Sequence, residues 1–222
     1  VVLGKVDKET NMNKPEGSLP MEGALFTVKF YAGVLSDSDP ATDGKKATRT
    51  WVFRTDEDGF CYYEKSYLVS GDELYLSPDG NQGLPIGTLT IQETQAPEGY
   101  LINPQVFTVK ITSNNNGSEF VYTYNEPKVL EQSLDLNIVK KEKNKDYAIE
   151  GAVFEHTLPD GTTETVTTDA NGACKFKSLG YGQHKIREVS VPYEYTVNEV
   201  LVTFTVAKDN NITLDSNTAA DN

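Results

Sequence analysis

Cysteine and histidine are scarce, at two each in 222 residues, and no Cys-x-x-Cys pair is present. A zinc site needs four closely spaced ligands, so no metal is expected. No apolar run approaches the roughly 20 residues that a membrane-crossing helix requires, and no membrane partner is expected. Basic residues are short against acidic ones, 20 to 33, for a net charge of −13. The deficit is even. Through Lys128 there are 11 basic and 18 acidic residues (−7), and the remaining 9 and 15 give −6. Such a charge opposes binding to nucleic acid or anionic lipid. Gly-x-Ser-x-Gly, a phosphate-binding loop and a catalytic metal motif are all missing, so no cofactor and no turnover on an external substrate are expected. No signal peptide is present and the chain opens at Val1, which suggests a piece of a longer mature protein, monomeric as a fragment.

What is abundant points to strands. There are 12 Tyr and 9 Phe against 2 Met, with frequent Thr and Val and dense turn signals. The expected fold class is all-β. Two stretches organise the rest. In the first, Leu89, Ile91 and Glu93 share one parity of a strand that Ala96-Pro97-Glu98-Gly99-Tyr100 then stops. A carboxylate aimed into an apolar layer is costly unless protonated or paired. Ile186, Glu188, Pro192 and Tyr195 repeat this pattern more weakly.

Other landmarks recur in the same order. Leu3 and Lys5 share a parity, as do Leu136, Ile138 and Lys140. Gly23-Ala24-Leu25-Phe26 returns as Gly151-Ala152-Val153-Phe154, and Thr55-Asp56 through Cys61 returns as Thr168-Asp169 through Cys174. This is an internal duplication, with domains at 1–128 and 129–222 joined semi-rigidly by the short segment 127–133. From Ala24 to Asp56 is 32 residues, against 17 from Ala152 to Asp169; from Cys61 to Glu93 is 32, against 14 from Cys174 to Glu188. The first copy therefore carries two insertions, at Leu35–Thr50 and Tyr63–Gly87, expected to loop out of the sheets.

Glu93-x-x-Ala96-Pro97-x-Gly99-Tyr100 resembles the E-box of CnaB-type (SpaA-like, prealbumin-like) domains of Gram-positive surface proteins and pilins, and Leu3-x-Lys5-x-Asp7 resembles their opening strand. The resemblance implies two tandem Ig-like or prealbumin-like β-sandwiches. It also implies an intramolecular isopeptide bond from the opening Lys to an Asn or Asp on the last strand, with the Glu as catalyst. By this match Lys5, Glu93 and Asn125 form the first triad. Lys140 and Glu188 match in the second, with Asn217 as acceptor and Asp215 as its alternative. Both acceptors have the wrong strand parity unless a bulge intervenes. The chemistry has its own logic. An apolar setting favours a neutral, nucleophilic amine and a protonated carboxyl that polarises the acceptor, while folding supplies proximity.

The implied role is a structural stalk or adhesin region of a surface protein or pilus subunit, extracellular and cell-wall-anchored by sortase through a segment outside this sequence. Its partners would be other domains of the same protein. The alternative role is binding of a host protein or glycan through the insertions. Three smaller features have local readings. Leu84-Pro85-Ile86-Gly87-Thr88 only superficially resembles a sortase signal, because its Thr and Gly are swapped and no hydrophobic tail follows. Thr55–Gly59 reads as a hairpin turn rather than a calcium loop. Cys61 and Cys174 read as free thiols at equivalent core positions; His156 and His184 are the only histidines available to activate either.

Overall fold

The structure is a computed structural model that describes residues 2–8, 19–112, 120–121 and 127–219. Among the described residues almost all regular structure is strand, with one 3₁₀ turn at Pro40–Asp43. Two compact units form. One contains residues 1–97 with 101–132, the other 98–100 with 133–222.

In the first unit, β2 (Leu25–Ala32) pairs on one side with β3 (Arg49–Arg54) and on the other with β7 (Gly87–Gln95). β5 (Leu68–Gly71) and β9 (Val106–Ile111) complete the order β5-β3-β2-β7-β9. The second sheet has the order β4-β1-β11-β8, built from β1 (Val2–Asp7), β4 (Phe60–Tyr62), β8 (Tyr100–Leu101) and β11 (Lys128–Ser133). A two-residue β6 (Leu84–Pro85) pairs with β10 (Phe120–Val121). Period-two patterning puts Leu3, Phe26, Val28, Phe30, Leu89, Ile91 and Val129 in one shared core.

Three expectations change. The segment 127–133 is not a linker. Residues 128–133 form β11, which runs parallel to β1 with Lys5 opposite Val129 and Val6 opposite Leu130. Val129 and Glu131 are buried while Lys128 and Leu130 are exposed, the alternation of a strand with one covered face. Second, Thr55–Gly59 does not close a hairpin. It carries the chain from β3 in one sheet to β4 in the other.

Third, the Tyr63–Gly87 insertion does not simply loop out. It adds β5 to the sheet edge and returns aromatics to the core. Tyr63 and Tyr75 meet the fully buried Trp51 edge-on, with ring centroids 5.2 and 6.2 Å away. The Tyr63 hydroxyl accepts the Tyr75 N–H at 2.8 Å. The polar handle is satisfied while the ring stays dry.

The second unit is smaller. β13 (Val153–Thr157), β14 (Thr163–Thr167), β16 (Gly182–Ser190), β17 (Val200–Val206) and β18 (Ile212–Ala219) form a sheet of order β14-β13-β16-β17-β18. β12 (Leu136–Val139) pairs with β15 (Ala173–Phe176) in a separate two-stranded sheet. Ile149, Ala152, Phe176, Leu179, Ile186, Phe204 and Val206 are buried between them.

Candidate functional site

The landmark turns position the lysines. Gly59 sits at φ +78° and Gly172 at φ +69°, the left-handed region that glycine enters without strain. Each turn carbonyl accepts a lysine backbone N–H: Gly59 O from Lys5 at 3.0 Å, and Gly172 O from Lys140 at 2.8 Å. The preceding carboxylate closes the turn on itself. Asp56 Oδ1 accepts from the amides of Asp58 and Phe60, and Asp169 Oδ1 from those of Asn171 and Ala173. Those backbone bonds hold the Asp169 carboxyl below its ordinary range. The acidic residues are thus occupied as turn caps.

The glutamates lie on the inward faces of β7 and β16. Each is followed by a bulge against the neighbouring strand. Phe26 pairs with Glu93 but Leu25 with Gln95; Phe154 pairs with Glu188 but Val153 with Ser190. A bulge re-aims side chains and increases local twist. The residue that fixes each carboxylate was not anticipated. The Asn103 N–H donates to Glu93 Oε2 at 2.7 Å, and the Asn198 N–H donates to Glu188 Oε2 at 2.6 Å. Each Asn side chain then accepts the N–H two residues on, from Gln105 and Val200. The signal was present as an Asn ten residues after each Glu.

In the first unit Lys5 is fully buried and its ammonium donates to Glu93 Oε1. The Phe26 ring centroid is 5.3 Å from Lys5 Nζ. A second carboxylate, unforeseen in the sequence, completes the cluster: Glu131, also at 0% exposure, has Oε1 3.0 Å from Lys5 Nζ. Apart from the Lys5 ammonium, neither Glu131 oxygen has a polar partner among the described residues. Burial, reinforced by the charge of Glu93, pushes its carboxyl up to about 7 despite the opposing pull of Lys5. Asn125, the expected acceptor, lies outside the described residues.

In the second unit Lys140 Nζ is 2.7 Å from Glu188 Oε1, and its side chain is 16% exposed. A groove lined by Ile138, Lys140, Glu188 and Asn198 opens beside it. Asp215 faces outward, bonded to Gln183 and Thr205. The parity problem of Asn217 is met by a bulge between Thr203 and Phe204: Asn217 pairs with Val202, which pairs with Ile186 on the face of Glu188. Asn217 is exposed there.

The other candidates have separate fates. Cys61 and Cys174 are free, and burial raises the Cys61 thiol to about 12, an inert state. His156 bonds Glu164 and His184, at 2.8 Å each, so neither histidine is paired with a thiol.

Two segments of the chain, 2–127 and 135–219, match the family described as the SpaA prealbumin-like fold domain. Among curated proteins, serine-aspartate repeat-containing protein E of Staphylococcus aureus strain Mu50 is 25% identical over 216 residues, covering 93% of this chain and 18% of that protein. Serine-aspartate repeat-containing protein D of strain Newman is 31% identical over 167 residues, covering 65% and 12%. The chain therefore spans less than a fifth of the length of these relatives. Among solved structures, a C-terminal fragment of the pilus adhesin SpaC from Lactobacillus rhamnosus GG is 17% identical with a TM-score of 0.44, covering 96% of this chain and 84% of that one. The Bacillus anthracis TIE protein is 19% identical with a TM-score of 0.42, covering 95% and 31%. With a matched segment in each of its two units, the chain belongs to the SpaA prealbumin-like fold domain family.

Proposed function

We propose that the chain is a load-bearing, extracellular stretch of a Gram-positive surface protein or pilus subunit, whose two units are hardened by self-made lysine amide bonds. The observation that carries this reading is the fully buried Lys5 ammonium against Glu93. Isolated lysines on strands leave their ammonium in water. Here the desolvation cost is accepted, and the second unit repeats the same lysine–glutamate pair on the same turn. A nucleophile and an acid–base group held together by the fold suit a reaction run once during folding. In this reading Glu93 and Glu188 are the proton-transfer residues, and Asn125 and Asn217 are the sequence-derived acceptors for Lys5 and Lys140. Names such as pilus adhesin and serine-aspartate repeat protein among the relatives support the surface role, and anchoring by sortase would lie outside this sequence. The alternative is host-ligand binding through the Leu35–Thr50 and Tyr63–Gly87 insertions; Tyr63 and Tyr75 of the second pack against Trp51.

The intact mass of the denatured, reduced protein tests the chemistry. One missing water or ammonia per reacted unit is expected, with Glu93→Ala and Glu188→Ala each restoring one. An undiminished mass in the wild type would refute self-crosslinking.

A further inference from the structure

β11 is the parallel neighbour of β1, and of its buried face Val129 lies opposite Lys5 while Glu131 reaches the ammonium. The two carboxyl groups around Lys5 are not alike. Glu93 is held at both oxygens, by Lys5 at Oε1 and by the Asn103 amide at Oε2. Glu131 meets only the Lys5 ammonium, 3.0 Å from its Oε1, and no backbone amide among the described residues holds its other oxygen. One ammonium and two carboxylates would leave an uncompensated negative charge at full burial, which is among the costliest arrangements a core can hold. One proton on Glu131 removes that charge, and condensation removes the pair altogether.

We propose that Glu131 is the acyl acceptor of Lys5, joined to it by a side-chain amide formed with loss of water, while Glu93 carries the protons. This rests on the self-crosslinking reading and replaces Asn125 as the acceptor in the first unit. The step balances. Glu93 carboxylate takes a proton from the Lys5 ammonium, giving the free amine. The amine nitrogen attacks the Glu131 carboxyl carbon, forming the C–N bond. Glu93 returns its proton to the Glu131 hydroxyl, the C–O bond breaks and water leaves. The second proton lost from nitrogen ends on Glu93, which is then neutral and able to donate to the new amide oxygen. Three ionisable groups become one amide and one carboxylic acid, so no buried charge remains. The protonated state that burial favours for Glu131 is the one with a departing hydroxyl.

The test uses the full chain with Lys140→Arg, which silences the second unit's nucleophile, and reads intact mass together with cross-linked peptide mapping. A deficit of one water, with Lys5 joined to Glu131, is the expected result. A deficit of one ammonia with Lys5 joined to Asn125 would overturn this acceptor and leave the self-crosslinking reading standing; no deficit would overturn both. Glu131→Gln sharpens the result without removing the side chain. Gln yields the same amide by losing ammonia, so the mature variant should have the same mass as the mature parent. A difference equal to an unreacted glutamine would count against Glu131.

Discussion

The two units hold one lysine–glutamate pair in two degrees of enclosure. Around Lys5, β1 is flanked on both sides, by β4 and by β11, and no solvent reaches the ammonium. Around Lys140, β12 is paired with β15 alone among the described residues, and a groove stays open over the lysine. Turn, bulge and anchoring asparagine are the same in both. The difference is one strand. It brings a second carboxyl to the nucleophile and excludes the water that would otherwise solvate all three charges. The machinery that places the amine and the proton carrier is thus separable from the strand that encloses the site.

The largest expected effect comes from the glutamates. Glu93→Ala should abolish the first unit's cross-link. Closing a loop of 131 − 5 = 126 residues is worth about 5 kcal/mol in the loop-entropy picture, and calorimetry should show the first unit melting well below its parent. Glu188→Ala should produce a comparable fall in the second unit only if Lys140 is joined there. An unchanged melt would confine the chemistry to the enclosed site.

The turn glycines should separate next. A Cβ on Gly172 would lie 2.4 Å from the Lys140 carbonyl oxygen, whereas one on Gly59 would meet side chains, Met21 Cβ at 3.1 Å and Lys5 Cβ at 3.4 Å. Gly172→Ala should cost roughly 3 kcal/mol and Gly59→Ala roughly 1–2 kcal/mol, measured by denaturant unfolding. Equal costs would mean that the backbone at 172 yields.

A shared feature should respond equally. Thr55 Oγ1 accepts the Ala24 N–H and donates to Met21 O; Thr168 Oγ1 does the same with Ala152 and Ile149. Thr→Val at either site strands a buried N–H and a carbonyl, at about 1–3 kcal/mol each.

The smallest effect is acid sensitivity confined to the second unit. His184 Nε2 donates to Gly180 O, its Nδ1 meets His156, and His156 in turn meets Glu164. Burial, with a contribution from His156, lowers the His184 pKa below its ordinary 6.5, against opposing pulls from Gly180, Glu164 and Glu98. A depressed histidine stabilises the fold above its unfolded pKa, and that stability drains away as pH falls below 6.5 toward the folded value. The second unit should lose melting temperature over that window, the first should not, and His184→Gln should flatten the response.

Parts of this were legible in the chain. Lys5 and Glu93 announce themselves because strand parity places a charge among aliphatic residues. The duplication follows from ordered landmarks. Glu131 was hidden, since Lys128-Val129-Leu130-Glu131-Gln132-Ser133 reads as a polar connector. Its alternation gains meaning only when β1, more than 120 residues earlier, lies alongside. The turn at Thr55–Gly59 looked like a hairpin because local turn chemistry does not say which sheet the next strand joins. The Tyr63–Gly87 segment reads as an insertion that loops out because period and propensity do not reveal that Trp51 needs cover. Asn103 escaped because its backbone, not its side chain, does the holding.

The parallel course of β1 and β11 has a mechanical consequence of its own. The chain enters β1 and leaves β11 at opposite ends of their shared ladder. A pull on those two ends drags the strands past each other in shear, so the rungs share the load together. Antiparallel neighbours pulled at one edge would unzip rung by rung. While that ladder holds, the 125 residues between Lys5 and Glu131 stay out of the line of tension, a hidden length of roughly 400 Å at full extension.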